Sequence, residues 1–401
     1  MRNLLLVSLL LSLTIASPSA EVYVVRPDGL GDFPNIQAAI DAAVDGDIIE
    51  LTNGTFTGVG NSGIRFMGKA ITVRSQSGDP PACRIDGGGS DGFRFMDEEG
   101  PGSVLEGIQV EDACIGIDCG SGSSPTINHC WVYACFCPEW TGWGMFVHEA
   151  SPRLTDCQFV GNGSIESGGG AAVVSTDSSP EFLRCVFANN GNGYLEYSGG
   201  GIKLSGGSAS FVDCLIGGNG SDQGWGAIRA SDCDALTVTG CTFHRNTGES
   251  CGGLRVSNVG VTTISACTFC ENEAAGVASD LWVAGASVVV ENSILSFGQG
   301  ERSVRCTDGG SITLTCCDFF GNSGEDWPEC VADQLGIDGN IGLDPRFCIP
   351  GEDLTLQSCS PCAPFSPPNE DCDLIGAHPV GCDFTPVVPT TWGRLKRLFH
   401  D

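Results

Sequence analysis

From about residue 150 to residue 325 the apolar positions fall in short runs, and no long 3.6-residue period is sustained. Runs such as SASFVDCLI (208–216), ALTVTGCTF (235–243) and VTTISACTF (261–269) are divided by Gly/Asn/Ser clusters. That is the pattern of short β-strands between tight turns. One phrase recurs along them: CQFVGN (157–162), CVFANN (185–190), CLIGGN (214–219), CTFHRN (241–246), CTFCEN (267–272) and CDFFGN (317–322). Anchored at Cys130, Cys157, Cys185, Cys214, Cys241, Cys267, Ser293 and Cys317, the copies are 24 to 29 residues apart. Such a period signals a solenoid, and three short strands with three turns fill one coil of a parallel β-helix.

The phrase then acquires a physical meaning. Residues two apart on a strand share a face, so Cys241 and Phe243 point inward while Thr242 points out. Stacked coils place like on like: cysteine on cysteine, ring on ring, and Asn162, Asn190, Asn219, Asn246, Asn272 and Asn322 at the following corner. Each amide both donates and accepts, which predicts a hydrogen-bonded asparagine ladder. The apolar residue three before the cysteine (Leu154, Phe182, Phe211, Val238, Ile264, Leu314) breaks the parity and predicts a bend or bulge. A second phrase alternates with the first: GGGAAV (168–173), GGGIKL (199–204), GWGAIR (224–229) and CGGLRV (251–256). Its glycines allow a corner, after which Ala171, Ile202, Ala227 and Leu254 are expected to begin the next inward strand.

Phe-x-x-Asn alternating with Gly-Gly-[Ala/Ile/Leu] resembles the repeats of the chlamydial polymorphic outer-membrane proteins, whose β-helical passengers act as adhesins. The stretch VVRPDGLGDFPNIQAAIDAAVDGDIIEL (24–51) resembles the opening of pectin methylesterases and of bacterial pectin-lyase-like proteins. That likeness implies a first strand followed by a capping helix, with Ile36, Ala39, Ile40 and Ala43 as its apolar stripe. Weaker strands are expected around 71–74, 84–86, 93–95, 105–110 and 115–118. The Pro- and Cys-rich region 344–383 resembles the terminal cap of secreted bacterial β-helix proteins. The expected fold class is all-β: a single-stranded, right-handed parallel β-helix solenoid of roughly ten coils, some 50 Å long, with an N-terminal capping helix and a Cys-rich C-terminal cap. Its segments are 1–20 as signal peptide, 21–63 as strand and capping helix, 64–343 as solenoid, 344–383 as cap, and 384–401 as linker and basic amphipathic tail.

Charge narrows the partners. Lys and Arg number 19 against 49 acidic residues, a formal charge of −30, which repels phosphate backbones and excludes nucleic acid. Arg2, the apolar stretch Leu4–Ile15 and the small residues up to Ala20 read as a secretory signal, and no later run is long and apolar enough to span a bilayer. An exported, extracellular or cell-surface protein with 23 cysteines implies disulfides. The repeat cysteines are a separate matter. Stacked side chains about 4.8 Å apart lie beyond disulfide reach, so that column is expected to hold buried free thiols.

Candidate chemistry is sparse. The aspartate, arginine and glutamine strings of the esterases do not occur, Asp318-Phe319-Phe320-Gly321 being the nearest echo. Lys203 and Arg255 hold the same place in the second phrase and form a basic surface column; a lyase would use such a residue as base. Cys359, Cys362, Cys372 and Cys382 read as disulfide partners rather than zinc ligands. Before the second phrase four coils carry an acid, Glu166, Glu196, Asp222 and Glu249, near Trp225 and Tyr197. This edge is a candidate for glycan or Ca²⁺, the single cofactor considered, against a plain solvated edge. The tail groups Trp392, Leu395, Leu398 and Phe399 on one side among Arg394, Lys396 and Arg397. The expected function is a non-catalytic, adhesin-like module that binds glycan or another surface along its side. The alternatives are a polysaccharide lyase or glycoside hydrolase of the pectin-lyase-like fold, and a spacer with no ligand.

Overall fold

The computed structural model describes residues 20–137, 142–163, 171–191, 200–221 and 224–383. It is a parallel β-solenoid of about 13 turns, against the ten expected, or about 60 Å at ~4.8 Å per rung. Each full coil runs across three faces. The glycine face follows the Gly-rich corner (Ile228–Ser231, Leu254–Ser257), and the threonine face comes next (Ala235–Thr239, Val261–Ser265). The cysteine face closes the coil (Thr242–His244, Thr268–Cys270) and forms an 11-stranded sheet. The first two faces merge into one 21-stranded sheet through the continuous strand Ile202–Val212.

One left-handed corner recurs from coil to coil. Immediately before the cysteine slot, Asp156, Arg184, Asp213, Ala266 and Asn292 take φ of 46–55°, and Gly240 takes 65°. The expected bulge is therefore a one-residue left-handed corner between two sheets. Parity is lost there because the residues on either side belong to different faces. The expected strand 105–110 is divided for the same reason: Gly107, at φ 68°, separates Val104–Glu106 from Gln109–Glu111.

Inside, phenylalanines stack along the axis. Phe159 lies 5.3 Å from Phe187, Phe182 lies 4.9 Å from Phe211, and Phe243 lies 4.3 Å from Phe269. Cys157, Cys185, Cys214, Cys241 and Cys267 are unpaired and buried. These thiols are more than small apolar filler. Cys157 Sγ donates to the carbonyl of Thr155 at 3.4 Å, Cys241 Sγ donates to Thr239 at 3.3 Å, and Ser293 Oγ does the same to Glu291 at 2.8 Å. Cysteine or serine thus satisfies a corner carbonyl in each coil from Cys130 to Cys317.

The N-terminal end is closed by the helix Ile36–Ala42, which buries Ile36, Ala39 and Ile40. Asn35 Oδ1 caps it by accepting from Ala38 N at 2.9 Å. Lys69 Nζ caps the other end, donating to the carbonyls of Ile40, Asp41 and Ala43 at 2.7–2.9 Å. At the far end Trp327 stacks on Phe319 at 4.8 Å, and Asn340 Oδ1 accepts from Cys317 N. The Cys-rich segment 344–383 caps the solenoid along its flank. It lies over the outer side of the cysteine face, where Phe347, Leu354, Leu356 and Ile375 form a second core with Cys270 and Ile294. His378 Nε2 sits 2.8 Å from Thr242 Oγ1, and Ala377 N donates to Thr268 Oγ1. Disulfides Cys316–Cys372 and Cys348–Cys382 fasten this strap, while Cys306–Cys330 and Cys114–Cys137 lie within the solenoid.

Candidate functional site

Along the glycine face, alternation sends one side chain in and the next one out. Ile202, Ile228, Leu254, Leu281 and Val304 are paired rung to rung and buried. Their neighbours therefore form one outward column: Lys203, Arg229, Arg255, Trp282 and Arg305. Toward the N-terminus the same column continues through Val174, Phe146 and Asp118. Eight rungs at ~4.8 Å give a ridge about 34 Å long.

The arginines of this ridge are held by aromatic rings. The Arg229 guanidinium lies 4.4 Å over Trp225, and Arg255 lies 4.1 Å over Trp282. Arg305 approaches the same Trp282 ring at 5.6 Å, and Trp282 Nε1 donates to Thr307 Oγ1 at 3.1 Å. Stacking of this kind fixes a guanidinium without neutralising it. Other arginines pair with carboxylates, as Arg184 does with Asp156 at 2.7 Å and Arg245 with Glu271 at 2.7 Å, though among the described residues Arg302 and Arg346 do not. Among the described residues no carboxylate forms an ion pair with Lys203, Arg229, Arg255 or Arg305. Burial lowers the proton affinity of Arg255, and the adjacent charge of Arg229 lowers it further. The Nε atoms of Arg229 and Arg255 are buried without a hydrogen-bond partner among the described residues. Among the described residues the arrangement is a row of positive charge without an ion-pair partner, in a chain of net charge −30.

The register sets Lys203 and Arg255 in one column, with Arg229 between them. The glycine phrases concealed Arg229. Aligning GWGAIR on its glycines starts the inward strand at Ala227, but the register pairs Ile202 with Ile228 and Val173 with Ile202, so Ala171 and Ala227 lie outside the inward column. The signal that would have found the ridge is the dipeptide series Ile-Lys, Ile-Arg, Leu-Arg, Leu-Trp, Val-Arg at 202, 228, 254, 281 and 304.

Of the acidic edge, Glu166, Glu196, Tyr197 and Asp222 lie outside the described residues. Glu249 is exposed, and Trp225 is only 5% exposed beneath Arg229. Among the described residues no three His, Cys, Asp or Glu side chains converge as metal ligands. The asparagine ladder runs through Asn162, Asn190, Asn219, Asn246 and Asn272, each Nδ2 donating to the next Oδ1 at 2.9–3.0 Å. The following coil carries Gly298 in that slot, so Asn272 Nδ2 turns to Asp280 Oδ1 at 3.0 Å. Asn322 stands apart, accepting from Gly298 N and donating to Asp326. Cys372 and Cys382 are bridged as expected, but to Cys316 and Cys348; Cys359 and Cys362 are unpaired.

A search of curated proteins finds no match. Among solved structures, pectate lyase Pel9A is similar at 15% identity and a TM-score of 0.45, with 90% of this chain and 97% of that one covered. The catalytic unit of a thermostable GH87 α-1,3-glucanase from Streptomyces thermodiastaticus strain HF3-3 is similar at 14% identity and a TM-score of 0.36, with 74% and 67% covered. The family described as the right-handed β-helix region matches residues 34–187 and 177–335, and with most of its length accounted for, the chain belongs to that family.

Proposed function

We propose that the protein is an extracellular, adhesin-like module that holds an anionic polysaccharide, a polyuronate, along the outward ridge of the glycine face. The observation that carries this reading is the run Lys203, Arg229, Arg255, which has no carboxylate partner among the described residues. Like charges one rung apart repel, and an anion laid across them relieves both that repulsion and their partial desolvation. A linear polymer suits the site better than a compact ligand, because the charges repeat along the solenoid axis. Trp282, lying between Arg255 and Arg305, keeps both guanidiniums oriented along the run.

Calorimetric titration with polyuronate oligomers and with neutral glucans of equal length tests this. Polyuronate binding should weaken with salt and fall at least tenfold in an Arg229→Ala/Arg255→Ala double variant of unchanged melting temperature. Equal binding of neutral glucans, or no loss in the variant, would overturn it. One observation favours a second reading. An arginine whose proton affinity is lowered by burial and by a neighbouring cation is suited to act as the base of a β-elimination beside a uronate carboxyl group. Formation of ultraviolet-absorbing unsaturated uronate, lost in Arg255→Ala, would establish a lyase instead of a binder.

A further inference from the structure

A groove of about 440 Å³ runs where the strap meets the corner that closes the cysteine face, a size within the ~300–1,000 Å³ of small-ligand sites. Two short outward columns line it on three successive rungs. At the corner itself stand Arg245, Glu271 and Phe297, each following a paired position of the cysteine face. All three take left-handed φ of 53–57°, a conformation that penalises a side chain with a Cβ. In the coils before and after them this corner carries Ala134, Gly161, Asn189, Gly218 and Gly321, so the long side chains stand at the groove. Two residues further on, Thr247, Glu273 and Gln299 form the second column, paired rung to rung and exposed. The strap borders the groove through Pro350, and its turn comes so close that a Cβ at Gly351 would lie 2.5 Å from Glu271 Oε1.

We propose that this groove binds a neutral saccharide, a short hexose oligomer. Its charges select against an anion. Arg245 Nε donates to Glu271 Oε2 at 2.7 Å and the pair cancels, whereas Glu273 has no ion-pair partner among the described residues. The rest of the lining suits hydroxyl groups: the Gln299 carboxamide and the Thr247 hydroxyl both donate and accept, and the Glu273 carboxylate accepts. Among the described residues none of these three side chains has a hydrogen-bond partner, which leaves each available to a ligand. Phe297 and Pro350 supply the apolar part of the lining, which complements the C–H groups of a sugar. The rings of Phe320 and Phe347, at 6.0 and 6.2 Å, hold Phe297 in place. The groove lies on another corner from the cationic ridge and goes beyond that reading, since the two surfaces take sugars of opposite charge preference. Binding in the groove is the weaker of the two, because no ion pair contributes to it.

The test titrates neutral trisaccharides of glucose, galactose and mannose, and a uronate trisaccharide, into the full-length protein. It follows the NMR signals of the Gln299 carboxamide and of the Thr247 and Glu273 amides. At least one neutral trisaccharide should shift these signals, and its affinity should fall at least ~fivefold in Gln299→Ala and in Glu273→Ala at unchanged melting temperature. The uronate trisaccharide should leave them unmoved. In Arg229→Ala/Arg255→Ala the neutral sugar should bind as in the wild type, so a failure of the ridge and a failure of the groove are read in different variants. No shift with any neutral sugar, an equal shift with the uronate, or undiminished affinity in both groove variants would overturn the proposal.

Discussion

Asn246→Ala is the most informative single perturbation of the fold. Asn246 is fully buried, and its carboxamide makes four hydrogen bonds. Oδ1 accepts from Asn219 N at 3.1 Å and from Asn219 Nδ2 at 3.0 Å. Nδ2 donates to Ile216 O at 2.8 Å and to Asn272 Oδ1 at 3.0 Å. The losses are unequal. Asn219 Nδ2 keeps Phe187 O, and Asn272 Oδ1 keeps the backbone N–H of residue 246. The backbone N–H of Asn219 keeps nothing, and one orphaned buried donor costs about 1–3 kcal/mol. Removing the carboxamide from a packed corner adds about 1 kcal/mol, so a loss of about 2–4 kcal/mol is expected. Urea unfolding should show a lower midpoint at unchanged slope, and the Asn219 amide should exchange faster than its neighbours. Thr237→Ala, on the exposed side of a strand, is the control. A loss under ~0.5 kcal/mol, or a cost that adds to that of Asn219→Ala as if the two were unconnected, would refute the ladder as a coupled network.

Two further outcomes follow from buried groups. Burial raises the Asp280 carboxyl to about 7, against the opposing hydrogen bonds from Asn272 and Ser279. The folded protein therefore holds a proton that the unfolded chain releases near pH ~4, so stability is greatest below that value and falls as pH rises through about 7. Asp280→Asn keeps an acceptor for Asn272, and it should flatten the decline and raise the melting temperature at alkaline pH. Asp318, raised to about 7 by burial beneath the strap, contributes a slope of the same sign. Among the 15 unpaired cysteines only Cys359 is exposed, and burial pushes Cys130, Cys135 and Cys317 up to about 12. A thiol reagent should modify one cysteine in the native protein and fifteen after denaturation; rapid modification of Cys157 or Cys241 in the native state would contradict the packed column.

The coil architecture was legible because its physics is local. A two-residue alternation at Cys-x-Phe and a fixed interval to the next copy define strand, face and stacking together, and Asn at the corner follows from an amide that donates to one neighbouring coil and accepts from the other. The ridge was half legible. Lys203 and Arg255 share a phase visible in the sequence, but Arg229 was hidden because glycine corners absorb an extra residue without changing the register of the strands that follow. The strap was not legible as a strap. Its composition announces a Cys-rich unit, yet the side on which it lies depends on Ile294, Cys270 and Thr268 pointing outward from coils some hundred residues earlier, and on the bridge Cys316–Cys372 across 56 residues. The Ser279–Asp280 pair, which takes over from the missing Asn in the coil of Gly298, lies outside every repeated phrase.

The strap also gives the molecule a direction. In a stacked array each coil touches only the coils beside it, so such proteins unzip from an open end, rung by rung. Here one segment crosses the rungs of Thr242, Thr268, Ile294 and Asp318 at once and is bonded covalently to the coil of Cys316. None of those rungs can peel away singly; they leave together or not at all. At the opposite end a seven-residue helix plugs the solenoid, and among the described residues no comparable clasp crosses the coils beyond it. Mechanical load or a protease should therefore dismantle the solenoid from its N-terminal side, leaving the clasped third as the last piece to let go.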